Sequence, residues 1–311
     1  MSNAVEKMYV TVTTGEVLLG IMANAFIGVV NCIDWVKTRK VSYLNFILIC
    51  LAISRIGLLG IITTHIFTLL FYPSSYLLGE MKNSNVLWSL TNDASAWFSA
   101  CLAVFYLLKI ANFSHPIFLW LKWRLNKVVL KVLLSCCFLS FLLSLMVTLM
   151  SDVLEVTVNL ENKLNLTQKI KVHKNPSFGI MMIFNVGGII PFALSLTSCF
   201  LLVLSLWRHT QQMQLNATGS RDPSIEAHVR VMKSMVSFLF LFVGYYIGMF
   251  SIIKNDSMLE RKKSVLFTLM AMIMYPLAHS IILIVGHNKL RLTALRVLWK
   301  LRVFSKCSWK C

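Results

Sequence analysis

The chain has 311 residues, 57% of them hydrophobic, and a mean hydropathy of +0.73, which excludes an ordinary soluble globular domain. Its formal net charge of +18 raises nucleic acid as a partner, but the basic residues gather at the ends of long apolar runs. A membrane explains that placement better, and no nucleic-acid partner is expected.

Seven runs reach the roughly 20 residues needed to cross the hydrocarbon of a bilayer. They cover about 9–36, 42–71, 86–110, 128–150, 177–207, 231–253 and 264–286, followed by a tail over 287–311. The expected fold is an all-α membrane protein, a seven-transmembrane-helix bundle forming one domain over 1–311. An odd number of spans puts the termini on opposite faces. With the N-terminus outside, the cytoplasmic segments hold 19 Lys/Arg against three acids, Asp34, Asp222 and Glu226, and the outer side holds 10 against nine. This bias is what the positive-inside rule requires, so the N-terminus is placed extracellular and the C-terminus cytoplasmic. The first run is expected to serve as the insertion signal.

In span one, Asn24 is the polar residue of interest. The first cytoplasmic turn, Lys37 to Lys40, is short. In span two, Arg55 lies near the middle of ILICLAISRIGLLGII. A guanidinium at that depth costs at least about 2.5 kcal/mol and must find partners. Asn24 and Ser280 of span seven offer oxygen acceptors at similar depth. A helix lock built from Asn24, Arg55 and Ser280 is one reading, and a lock that also switches on activation is the other.

Span three begins with Trp88, Asn92 and Asp93. Trp88 and Asn92, at i and i+4, share a helix face, and an indole with an amide suits a pocket for mixed apolar and hydrogen-bonding ligands. An interfacial tryptophan with a helix-to-helix hydrogen bond accounts for the same pair. Span three runs into a purely basic turn. There Pro116 and the amphipathic piece Leu119 to Arg124 set Trp120 and Trp123 at headgroup depth.

The eight cysteines fall in spans or on the cytoplasmic side, so no outer disulfide is expected. Cys307 and Cys311 in the tail are candidates for palmitoylation or remain free thiols. Of the Asn-x-Ser/Thr sequons, Asn112 and Asn216 face the cytoplasm, whereas Asn165 in the long outer loop is the glycosylation candidate, with Asn255 second. Gly187, Gly188, Pro191 and Pro276 are expected to kink or loosen spans five and seven. Tyr245 and Tyr246 place hydroxyls in span six. The tail alternates Leu290, Leu292, Leu295 and Leu298 with Arg291, Arg296 and Lys300, reading as a short helix on the inner leaflet. The seven histidines form no metal-spaced pair, and no phosphate loop or nucleophile elbow occurs, so no enzyme activity and no cofactor is expected.

The run FYLLKIANFSHPIFLWLKWR at the inner end of span three resembles the bitter taste receptors, the type 2 taste receptor family of G-protein-coupled receptors. Asn24 with Ala25-Phe26-Ile27, LAISR at Leu51 to Arg55, PFALSL at Pro191 to Leu196, and Tyr275-Pro276, His279-Ser280 and Lys289-Leu290 agree with the same family in order and position. The resemblance covers nearly the whole chain. It implies a multi-pass receptor of the plasma membrane, with small-molecule bitter agonists and a gustducin-type heterotrimeric G protein as partners. Phospholipase C signalling and calcium release would follow downstream. Its ligand positions fall on Trp88, Asn92 and Tyr245, with Asp93 beside them where many relatives carry His. Leu269 stands where some relatives are polar, and His287 replaces a common Asn.

Candidate G-protein contacts are Lys109, His115, Lys122, Arg124, His209 and Lys233, each equally explained as a positive-inside residue. The ANFSHP run and LAISR argue against a vomeronasal-type pheromone receptor. A transporter would show paired mid-membrane charges or inverted repeats, which this chain lacks.

Overall fold

The computed structural model describes residues 3–39, 42–72, 82–111, 113–124, 188–215 and 258–308, with scattered helical residues between 131–149 and 232–247. All the elements among these residues are helices: α1 (Asn3–Thr38), α2 (Tyr43–Phe71), α3 (Lys82–Ile110), α4 (Pro116–Trp123), α5 (Ile189–Leu215), α6 (Met258–Gly286) and α7 (Asn288–Ser308). Four stretches are long and apolar enough to cross a membrane, within α1, α2, α3 and α6, and Ile189–Ser205 of α5 is a shorter apolar stretch.

Two boundaries have a clear local cause. α1 stops where Arg39 takes a left-handed φ of 49° and returns its N–H to the Trp35 carbonyl at 3.0 Å, a helix-ending turn usually left to glycine. α4 starts with Pro116 in its first turn, where a missing N–H costs nothing, behind extended His115. Pro191 is in α5, and the part of span five that precedes it, up to residue 187, lies outside the described residues. Pro276 does sit inside α6. The tail helix is longer than the expected short piece and follows α6 after a single bend at His287.

α1 packs on α2 and α6, α2 on α3 and α6, and α3 on α5. Two apolar clusters fill this bundle. One holds Ile62, Leu69, Trp88, Tyr245, Leu269 and Tyr275; the other, toward the end carrying Lys109, holds Ile27, Leu51, Phe105, Leu202 and Leu290. The outer face is apolar too, with Met22, Ile53, Phe67, Phe200 and Phe267 exposed. Polar residues occupy the middle instead: Asn24, Arg55 and Ser280 are wholly buried. An apolar exterior around a polar interior suits lipid as the surrounding solvent.

Close helix approach depends on Gly20. A Cβ there would meet Leu59 Cδ1 at 2.8 Å, and Leu59 is itself completely buried. Gly20→Val is therefore expected to lower stability by about 1–3 kcal/mol. A melting curve in detergent that matches the parent would remove the close α1–α2 contact from the account.

Candidate functional site

The buried centre is built around Arg55. Its Nε donates to Ser95 Oγ at 3.4 Å, Nη1 to Ser280 Oγ at 3.1 Å and Nη2 to Ser99 Oγ at 3.1 Å. Nη2 also bonds His279 Nδ1. Arginine has no acceptor, so Nδ1 receives this bond and the imidazole proton belongs on Nε2. The guanidinium carbon lies 5.8 Å from the Tyr275 ring centroid, within cation–π range.

The serines pass the interaction onward. Ser280 Oγ reaches Asn24 Oδ1 at 2.8 Å and the Pro276 carbonyl at 2.7 Å, while Asn24 Nδ2 donates to the Gly20 carbonyl at 2.8 Å. Ser99 donates back to the Ser95 carbonyl at 2.8 Å. Residues of α1, α2, α3 and α6 thus share one cation. Among the described residues no carboxylate lies within ion-pair distance of it, so neutral dipoles alone compensate its charge.

Arg55 bonds Ser280 directly and meets Asn24 only through that serine. Ser95, Ser99, His279 and Tyr275 were missed by sequence reasoning. The available signal was Ser95 and Ser99, at i and i+4 on the same helix as Trp88. Serines are too common within apolar helices for that spacing alone to have been decisive.

The four sequence-derived ligand positions are all buried: Trp88 is 2% exposed, Asn92 6%, Asp93 2% and Tyr245 3%. Trp88 and Tyr245 join the same apolar cluster, which also contains Leu269. One carboxylate oxygen of Asp93, Oδ1, has no hydrogen-bond partner among the described residues. An aromatic series runs through this cluster. Phe192 of α5 stacks on Phe242 at 5.1 Å, Phe242 approaches Tyr245 at 6.3 Å, and Tyr245 lies 5.9 Å from Tyr275. Tyr275 then touches Arg55, so the tyrosine proposed from sequence sits one ring away from the polar centre.

At the basic end the six candidate contacts are in different situations. Lys109 is exposed over the Phe105 ring at 5.7 Å, and Arg124 over Trp120 at 5.2 Å. His115 and Lys233 are exposed. Lys122 is half-buried and donates to the Ala111 carbonyl at 3.0 Å, tying α4 to the end of α3. His209 is in α5, and its side chain lies outside the described residues, as do Asn165 and Asn255.

Nearby, Asp34 of α1 accepts from Asn45 at 2.6 Å and pairs with Lys289 of α7 at 2.6 Å. His287, at the bend between α6 and α7, is held below its ordinary pKa by burial and then by the charges of Lys289 and Lys109.

These features define a helical membrane protein with a buried cationic centre, a packed aromatic cluster on one side of it and a basic face on the other. The taste receptor protein (TAS2R) family pattern matches residues 1–302. The taste receptor type 2 member 7 of Gorilla gorilla gorilla is 45% identical over 303 residues, covering 96% of this chain and 95% of the relative. Its Mus musculus counterpart is 42% identical over 308 residues, covering 98% and 99%. Taste receptor type 2 member 8 of Gorilla gorilla gorilla is 43% identical over 300 residues, covering 96% and 97%. The chain belongs to the type 2 taste receptor family, the bitter taste receptors of the G-protein-coupled class, and is a membrane receptor rather than an enzyme.

Proposed function

We propose that this receptor is a seven-span protein of the plasma membrane, N-terminus outside, in which a small bitter agonist engages Trp88, Asn92, Asp93 and Tyr245. Binding activates a gustducin-type G protein at the cytoplasmic face, with phospholipase C signalling and calcium release downstream. The observation that carries the reading is the contact series Tyr245–Tyr275–Arg55, which joins the agonist cluster to the cation shared by four helices.

Because Trp88 and Tyr245 are packed in the present arrangement, an agonist reaches them only by opening that cluster. Opening moves Tyr275 against Arg55, and the agonist shifts the equilibrium by its differential affinity for the two arrangements. Lys109, His115, Lys122, Arg124, His209 and Lys233 supply the positive face toward the G protein. Lys122 also anchors α4, so its loss combines a contact effect with a structural one. Lipids surround the spans, and the basic tail lies on the anionic inner leaflet.

The test is calcium release in cells co-expressing the receptor and a chimeric G protein, exposed to a panel of bitter compounds. Silence despite confirmed surface expression, together with flux of any panel compound, overturns the reading. Orientation has its own measurement. Asn165→Gln is expected to abolish the endoglycosidase-sensitive mass shift, whereas changing Asn112 or Asn216 leaves it unaltered; a shift lost with Asn112 reverses the topology.

A further inference from the structure

α1 is tied to the arm formed by α6 and α7 at mid-bundle and again at the basic end. The deep tie is Ser280 Oγ to Asn24 Oδ1 at 2.8 Å, inside the wholly buried centre. The inner tie is Lys289 Nζ to Asp34 Oδ2 at 2.6 Å, and the same carboxylate oxygen accepts from Asn45 Nδ2 of α2 at 2.6 Å. Asn45 is buried and fixes the carboxylate from the α2 side, whereas the side chains of Lys289 and Asp34 are 34% and 35% exposed.

We propose that the Asp34–Lys289 pair is a latch that holds the resting arrangement of the receptor, and that opening the agonist cluster releases it. The proposal rests on the agonist reading above, which makes the present packed arrangement the resting one. The lever is α6. It carries Tyr275, which touches Arg55, then Pro276, which interrupts the backbone ladder, and then His279 and Ser280, both bonded to Arg55. α7 follows after a single bend at His287, and Lys289 is the first cation beyond it. A shift of Tyr275 relative to Arg55 is therefore carried along α6 to Lys289.

Strength decides which tie yields. The deep one belongs to a network sharing one guanidinium, and breaking it leaves buried polar groups unpaired. The inner one is an ion pair within reach of water, which solvates both partners when they part. It is weak enough for a ligand to release and strong enough to bias an equilibrium. Release also changes the basic end. The charges of Lys289 and Lys109 both bear on His287, so the two ammonium groups share that face. Parting from Asp34 leaves Lys289 uncompensated there, which adds positive potential on the side proposed to meet the G protein.

The experiment uses the full-length receptor with the chimeric G protein and reads agonist-free inositol phosphate accumulation per receptor at the surface. Asp34→Asn and Lys289→Met are each expected to raise it about two- to fivefold, the range that a partly exposed ion pair supports. The double variant is expected to match either single one, because both remove the same bond. Exchanging the charges, Asp34→Lys with Lys289→Asp, is expected to bring the signal back toward the parent, since the Asn45 amide can turn its oxygen to the new cation. Lys289→Arg keeps the pair and should stay at the parent level, as should Lys37→Gln, which removes an exposed cation near Asp34 without touching the tie. In purified receptor, Lys289 is expected to be acetylated severalfold more slowly than the exposed Lys300, and Asp34→Asn to erase the difference. Parent-level basal signal in both Asp34→Asn and Lys289→Met, in a receptor that still answers an agonist, overturns the latch. So does equal reactivity of Lys289 in the parent and in Asp34→Asn, or a rise with Lys37→Gln as large as with Asp34→Asn. A parent silent to every bitter compound removes the agonist reading itself, a failure that lysine reactivity, which needs neither agonist nor G protein, tells apart from loss of the tie.

Discussion

Arg55→Ala is expected to lower the melting temperature sharply, to reduce surface expression and to abolish agonist response in whatever receptor remains at the surface. The substitution removes a fully buried side chain together with its bonds to Ser95, Ser99, Ser280 and His279. Bonds from a charged donor contribute about 1.5–3 kcal/mol each, but desolvating the guanidinium costs several kcal/mol in the opposite direction. With the void left behind, a net loss of about 2–4 kcal/mol is expected.

Two further variants separate charge from packing. Arg55→Met fills most of the volume without charge and is expected to fold nearly as well as the parent, since an apolar replacement for a buried ion is often close to neutral. It should still fail to signal, because the shared cation is gone. Arg55→Lys keeps the charge but loses the fork that reaches three hydroxyls at once, so it should rank between Met and the parent in signalling. If Arg55→Ala melts and signals like the parent, the centre is neither a lock nor a switch. A double-mutant cycle with Ser280→Ala measures the direct coupling, expected at about 0.5–3 kcal/mol.

The need for such a centre was legible in the sequence, whereas its membership was not. An arginine within an apolar run announces its own cost, and Asn24 and Ser280 stood out as acceptors at matching depth. Ser95 and Ser99 carried no comparable signal. What selects them is the rotation of α3 against α2, set by close packing such as that at Gly57, where an added Cβ would lie 3.3 Å from Thr91 Cγ2. The Asp34–Lys289 pair likewise joins residues at the two ends of the chain, which no local spacing predicts. Among the described residues, the helices of spans one, two, three and seven were readable from apolar length, but their ends were less so. α1 and α3 extend beyond their apolar runs because polar residues such as Lys82 and Asn83 continue the hydrogen-bonded ladder without altering the hydrophobic pattern.

Asn92→Ala is expected to weaken agonist potency by about tenfold to a hundredfold for compounds that hydrogen-bond the amide, with surface expression near that of the parent. Asn92 is 6% exposed, so a ligand group facing it loses water as it binds and is left unpaired when the amide is removed. That penalty is about 1–3 kcal/mol, and 1.4 kcal/mol corresponds to a factor of ten. Trp88 requires more care: truncating a tryptophan in a packed cluster costs about 3–5 kcal/mol, so Trp88→Ala confounds folding with binding. Trp88→Phe keeps most of the apolar body and removes the indole N–H, and should weaken only agonists that accept from it.

Asp93→Asn completes the set. Its Oδ1 lacks a partner among the described residues, so the acid is available to a ligand donor, and the amide keeps the shape while removing the ionisable carboxyl. Cationic agonists should lose more than tenfold in potency and neutral ones little, a contrast that a purely structural role for Asp93 does not produce. Concentration–response curves for several agonists of each charge class decide the matter. Equal potency across Asn92→Ala, Trp88→Phe and Asp93→Asn moves the agonist site away from this end of α3, and leaves the Tyr245–Tyr275–Arg55 contacts as core packing.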